Sequence, residues 1–379
     1  MRFLISVGAD INLKDHEMRS LLHASCQWGD IACVKLLIKQ GINVNGRDFY
    51  GKTPLFECIQ SNVDRIEKMR FLISVGADIN LKDHDMRSLL HASCQWGDIA
   101  CVKLLIKEGL GVNDRDDYGQ TPLFSCIQSK VDRIEKMRFL ISVGADINVK
   151  NKDKNSSLHV SCQSGDIACV KILIKEGLGV NDRAVFGQTP LFYCIQSAVD
   201  RIEKMQFLIS KGADINVKDK KRRSLLHISC NLGDIPCVKW LIKEGGLHVN
   251  DRDRYGETPL LFCISSIVDR IICVEITEIL IKAGADVNAR DRKGQSILHH
   301  SVEFGDVKYV KILIEAGAKV KVKDKKGYKP IYYCCKTFFD PVEKVKLLLE
   351  AGAKIKFRKK MIKKSFVSDL REFLKTYSQ

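Results

Sequence analysis

Asp117-Tyr-Gly-Gln-Thr-Pro-Leu-Phe124 leads through a helical run to Leu140-Ile-Ser-Val-Gly-Ala-Asp-Ile-Asn148, and both pieces recur along the chain. Thr-Pro-Leu returns at 53–55, 189–191 and 258–260. Gly-Ala-Asp-Ile-Asn returns at 8–12, 76–80 and 212–216, with Gly-Ala-Asp-Val-Asn at 284–288. An internal period of this kind decides the architecture before any site motif, because each unit is one supersecondary element whose apolar face only a neighbour can cover.

The units come about every 33 to 35 residues and alternate between two types. One carries Leu-His, at Leu22-His23, Leu90-His91, Leu158-His159, Leu226-His227 and Leu298-His299. The other carries Thr-Pro-Leu and a loop between its helices that is longer by two residues. His23, His91, His159 and His227 therefore stand 68 residues apart. Thr121 or Ser88 is placed to cap a helix, and Pro122 suits the first helical position, where a missing N–H costs nothing. Ile99, Val102, Leu104, Leu105 and Ile106 give the second helix one apolar face. Gly109 or Gly144 then ends that helix in a left-handed cap.

These motifs resemble the ankyrin-repeat family, whose marker is Thr-Pro-Leu-His-x-Ala near a 33-residue period. The resemblance covers residues 1 to about 356. It implies an all-α fold, an ankyrin-repeat α-solenoid with short β-hairpin fingers, elongated and without catalytic machinery. Residues 1–14 read as a truncated N-terminal half-repeat. Ten repeats follow at 15–47, 48–82, 83–115, 116–150, 151–183, 184–218, 219–252, 253–290, 291–323 and 324–356. Residues 357–379 read as a basic link and a capping helix, with Ile362, Phe366, Leu370, Phe373 and Tyr377 at helical spacing. That helix either covers the last repeat or docks into a partner's groove.

Three places depart from the pattern. Met1 aligns with the internal Met69, Met137 and Met205, leaving Phe3, Leu4 and Ile5 without a partner on that side. The chain thus reads as a fragment of a longer array, or its first face is covered by another molecule. In the eighth repeat Ile271-Ile-Cys-Val-Glu-Ile-Thr277 lengthens the inter-helix connection or the second helix by about a turn. In the tenth, Lys329-Pro330-Ile331 replaces Thr-Pro-Leu, and Tyr332, Tyr333, Phe338 and Phe339 make it aromatic.

The formal net charge of +16 is unevenly spread: residues 319–379 hold 18 Lys/Arg against 6 Asp/Glu, a net of +12. Fifteen cysteines invite a disulfide or zinc reading until they are placed on the period. Cys26, Cys94, Cys162 and Cys230 take a small-residue position of the first helix, and Cys33, Cys101, Cys169 and Cys237 the inner face of the second. Free cysteine packs as a small hydrophobe, and so many unpaired thiols point to a reducing compartment. With no signal peptide and no apolar run of about 18 residues, the expectation is an intracellular, cytoplasmic chain, with the nucleus also open.

No catalytic, cofactor or metal site is expected. The histidines lie on separate repeats and cannot share an ion; the resemblance gives them a hydrogen bond across the turn. Asp114, Asp116 and Asp117 fail the calcium-loop pattern at Tyr118 and Ser125. No P-loop or Gly-x-Ser-x-Gly is present. Binding is the remaining class. The turns vary between repeats while the helices barely change. Arg19, Tyr50, Arg87, Tyr118, Phe186, Arg222, Arg223, Arg254 and Tyr255 are the candidate residues for a protein partner, since exposed aromatics beside Arg anchor interfaces. Equally, turn tips tolerate drift after duplication. The basic run Lys356, Arg358, Lys359, Lys360, Lys363 and Lys364 is a candidate site for nucleic acid or an anionic membrane surface, against a plain lysine-rich composition. A third alternative makes the array the targeting arm of a ubiquitin-ligase or other effector assembly.

Overall fold

The computed structural model describes residues 7–264, 270–337, 340–354, 370 and 372–373. Chain contacts divide the molecule into two units, residues 1–185 with 196–204 and residues 186–195 with 205–379. Among the described residues all regular structure is helical. The expected hairpin fingers are tight turns, three of them closed by isolated antiparallel bridges, Lys14 with Ser20, Lys150 with Ser156 and Arg290 with Ser296.

In the first unit the Leu-His repeats place a short first helix at Leu21–Trp28, Leu89–Trp96 and Ser157–Ser164, each followed by a second at Ile31–Lys39, Ile99–Lys107 and Ile167–Lys175. The Thr-Pro-Leu repeats place theirs at Pro54–Ile59 and Pro122–Ile127, then Arg65–Ser74 and Arg133–Ser142. Each first helix packs on the first helix of the next repeat, and Leu22, Leu55, Leu90, Leu123 and Leu158 are buried there. The second unit repeats the arrangement from Leu225–Leu232 and Ile235–Lys243 through Pro259–Ile264 to Ile297–Phe304 and Val307–Glu315. Its irregular second helix runs Arg270–Lys282, 13 residues against 10 for Arg133–Ser142, so the extra turn lengthens the helix itself. In the last repeat Pro330–Cys335 is a 3-10 helix, with Tyr333 buried and its hydroxyl donating to Asp324 at 2.7 Å. Leu370 is fully buried; Phe3, Leu4, Ile5, Phe338, Phe339, Ile362, Phe366 and Tyr377 lie outside the described residues.

The glycine caps are where the pattern puts them: Gly109 and Gly144 have φ of +95° and +94°. Ser88 meets its helix through His91, whose Nδ1 accepts from the Ser88 amide at 3.2 Å and lies 2.8 Å from its hydroxyl. Thr121 behaves differently from the expected cap. The Phe124 amide donates to the Thr121 backbone carbonyl at 2.9 Å instead of to the side chain, and Oγ1 is buried without a partner. Thr53 and Thr189 repeat this.

What joins the repeats in the first unit is the stretch Val-Asp-Arg-Ile-Glu-Lys at 63–68 and 131–136. Asp132 Oδ2 accepts the Ile99 amide at 3.1 Å, capping a helix of the preceding repeat, while Arg133 reaches Asp166 of the following one at 3.1 Å. Lys136 is fully buried and donates to the Cys94 and Gly97 carbonyls at 2.8 Å each and to the Ser129 hydroxyl at 2.7 Å. It thus caps the C-terminus of the Leu89–Trp96 helix, where the dipole favours a cation. Lys68 does the same for Leu21–Trp28, and Lys344 for Ile297–Phe304 in the second unit. Periodicity assigned these lysines no place, since a lysine with partners 42 residues upstream leaves no local trace.

Candidate partner-binding fingers

Most fingers are built on a leading aspartate, with Asn151 in its place on one and Ala184 on another. Asp116 Oδ1 accepts the amides of Tyr118 and Gln120 at 2.9 and 2.8 Å, folding five residues into a turn whose tip faces out. Asp15, Asp48, Asp83, Asp219, Asp253 and Asp324 accept the corresponding pairs. Short acceptors that bond their own backbone two and four residues on are what such turns require. Reversal then needs a left-handed residue. Gly119 supplies it in one repeat type at φ +73°, whereas Met18, Met86, Lys154 and Arg222 adopt φ of 58° to 62° in the other.

One backbone hydrogen bond ties each tip to the next. In the first unit the amides of Phe49, His84, Asp117 and Lys152 donate to the carbonyls of Glu17, Tyr50, Asp85 and Tyr118 at 2.8–2.9 Å. In the second, Lys220, Arg254, Arg292 and Lys325 donate to Phe186, Lys221, Tyr255 and Lys293 at 2.7–3.0 Å. The tips within a unit are therefore held in register by the main chain, leaving their side chains outward.

The candidate residues fall into two groups. Tyr50, Tyr118, Phe186 and Tyr255 are exposed tip aromatics, between 48% and 63% accessible, and Arg222 and Arg254 are exposed beside them. Phe49 adds a ring edge-on to Tyr50 at 5.5 Å. Arg19, Arg87 and Arg223 are instead drawn onto their own fingers: Arg223 Nη2 lies 2.6 Å from Asp219, and Arg87 Nη2 2.9 Å from Asp83. Arg19 and Arg87 also cover Trp28 and Trp96 at 5.5 and 5.4 Å from the ring centroids. These two tryptophans, at the ends of first helices, were not among the candidates from sequence. Trp28 is 64% exposed, and Phe304 occupies the equivalent position in the second unit, also exposed. Their signal was the bulky residue before the Gly-Asp that separates the helices. The run from Lys356 to Lys364 lies outside the described residues.

The repeating histidines are buried links. His91 Nε2–H donates to the Gln120 carbonyl of the next finger at 3.1 Å while Nδ1 faces Ser88, which fixes the neutral tautomer. His23, His227 and His299 do likewise, and burial holds all four below the ordinary histidine range. Burial pushes the thiols of Cys101, Cys126 and Cys169 up to about 12, far from the thiolate a nucleophile or ligand needs. Among the described residues no group of three His, Cys, Asp or Glu is placed to hold a metal ion, and no helix is long and apolar enough to cross a membrane.

A family profile described as ankyrin repeats in three copies matches residues 1–83, 71–151, 132–219, 201–291 and 272–359. Inversin from Canis lupus familiaris is 25% identical over 241 residues, 62% of this chain and 22% of that protein. Transient receptor potential cation channel subfamily A member 1 from Homo sapiens is 29% identical over 302 residues, 76% of this chain and 26% of the channel. E3 ubiquitin-protein ligase KEG from Arabidopsis thaliana is 22% identical over 307 residues, 78% of this chain and 18% of the ligase. The chain thus spans 18% to 26% of the length of these relatives.

Proposed function

Since this chain belongs to the ankyrin-repeat family, whose repeats form a protein–protein interaction domain, we propose that it is a non-catalytic scaffold or adaptor that grips one protein partner with its fingers and first helices. The observation that carries this reading is the set of exposed tip aromatics, Tyr50 and Tyr118 in the first unit and Phe186 and Tyr255 in the second, on turns that the main chain holds in place within each unit. An ordered backbone removes much of the entropy that binding would otherwise have to overcome, and aromatic tips supply contact area with few rotamers to freeze. Trp28 and Trp96, with Arg19 and Arg87 over them, extend the surface onto the first helices.

Arg222 and Arg254 add charge selectivity at the tips, whereas Arg19, Arg87 and Arg223 serve by shaping the finger. Proximity labelling in the native cell, comparing the wild-type chain with Tyr50→Ala/Tyr118→Ala, tests the proposal. A set of neighbours lost in the variant supports it; an identical set in both, with the variant folded, ends the role of these rings. The kinship with KEG keeps a ubiquitin-ligase targeting arm as the second reading; there the same tips would select the protein delivered to an effector domain.

A further inference from the structure

The two units differ in what their tips carry. In the first, the exposed tips mix Asp117, Asp153, Lys152 and Lys154 with aromatic rings, histidine and methionine. In the second, Phe186 stands at the first tip and the four fingers that follow it are basic. Lys220, Lys221 and Arg222 stand on one finger and Arg254 beside Tyr255 on the next, all exposed. Arg292 and Lys293, then Lys325 and Lys326, continue the row and are exposed as well. The aspartates of these fingers do not offset them. Asp219, Asp253, Asp291 and Asp324 are buried, and each is occupied by its own turn amides. Among the described residues no ion pair engages any of the eight tip cations; the pairs of this region use Lys218 and Arg223 instead.

We propose that this row of eight cations, residues 220 to 326, is a binding surface for the phosphate backbone of nucleic acid, separate from the basic run after residue 354. The geometry is that of a line. Successive tips are joined by the bonds from Lys221 to Arg254, Tyr255 to Arg292 and Lys293 to Lys325. With two chain crossings per finger at about 4.8 Å each, tips recur about every 10 Å. Eight charges over four fingers give one cation per roughly 4–5 Å, close to the 3.4 Å rise per phosphate along one strand of a duplex. Lysines outnumber arginines here, and the exposed aromatics on these fingers are Tyr255 and Tyr328. Lysine is depleted from protein interfaces and protein hot spots need apolar anchors, so an acidic protein is the poorer fit. A single file of charges with only two tyrosine rings among them, Tyr255 and Tyr328, suits a chain of phosphates better than the plane of a membrane. Binding of this kind is electrostatic and indifferent to base sequence.

The test is fluorescence anisotropy of the full chain with a labelled DNA duplex of ~20 base pairs, titrated between about 50 and 200 mM KCl. The expected affinity loss across that range is about 10³- to 10⁵-fold. Replacing Lys325→Ala with Lys326→Ala lowers the log–log salt slope by about 2, and Lys220→Ala with Lys221→Ala and Arg222→Ala by about 3. Because these side chains are exposed, melting stays unchanged. A third variant, Lys359→Ala, Lys360→Ala, Lys363→Ala and Lys364→Ala, keeps most of the slope. No binding at the lower salt, slopes untouched by the tip variants, or a slope abolished by the third variant each overturn the proposal. So does tighter capture by phosphatidylserine vesicles or by polyglutamate than by the duplex at equal salt. The protein-binding reading shares Arg222, Arg254 and Tyr255 with this surface, but its own test uses Tyr50→Ala/Tyr118→Ala on tips of the first unit, so the two readings fail separately.

Discussion

Lys136→Met removes a fully buried ammonium while keeping the length of its stem. The Leu89–Trp96 helix makes its last backbone bond from the Gly97 amide to Ser93, so the carbonyls of Cys94 and Gly97 depend on Lys136 Nζ at 2.8 Å. Ser129 loses less, because its hydroxyl still donates to Val131 at 3.0 Å. Two orphaned buried carbonyls at roughly 1–3 kcal/mol each give about 2–6 kcal/mol. Relief of the buried charge offsets part of that, leaving a net loss of about 2–4 kcal/mol. Urea unfolding of the variant and wild type, followed by circular dichroism, measures it. pH adds a second handle. Burial holds the Lys136 ammonium below the ordinary lysine value of 10.5. The unfolded chain therefore binds the extra proton in the window between the depressed folded pKa and 10.5, and stability from this group rises as pH climbs through it. The gap between wild type and Lys136→Met accordingly widens toward alkaline pH. A variant within about 0.5 kcal/mol of wild type, or a gap that narrows, refutes the capping role.

Leu123→Ala, at a position 1% exposed between first helices, costs about 2–5 kcal/mol by calorimetry, and no change would mean the stack is wrongly drawn. Met86→Gly relieves a left-handed residue at φ 58° where the sister finger uses Gly119, and raises stability by about 0.5–1 kcal/mol in thermal melts. His23, His91, His227 and His299 all sit below the ordinary value of 6.5, so their contribution is complete above that pH and is lost as pH falls from it toward the folded values. Melting temperature should fall on acidification through this window, and His91→Gln should flatten the dependence.

The helices and their glycine stops were legible from spacing, because each is fixed by residues within a few positions; the cross-turn role of the histidines came from the family resemblance, since their carbonyl partners lie 29 or 30 residues on. Tips were legible as turns, yet the fate of their arginines was not. Arg87 and Arg223 looked like recognition residues until the aspartate four positions earlier claimed them. Thr121 looked like a cap, but a tighter turn gave its amide partner to the main chain. Trp28 and Trp96 escaped because a lone bulky residue at a helix end has the same spacing whether it faces core or solvent. Lys136 escaped most completely, since apolar patterning assigns every lysine to water.

That lysine also imposes an order in time. The carbonyl of Cys94 waits for a side chain 42 positions later, and Cys26 waits as long for Lys68. On a ribosome adding about 5–20 amino acids per second, that is a delay of about 2–8 s. Each short helix thus emerges with its end unsealed, and closure trails synthesis by a little more than one repeat. A pause placed just before Lys68 or Lys136 is translated would hold the nascent chain in its most vulnerable form.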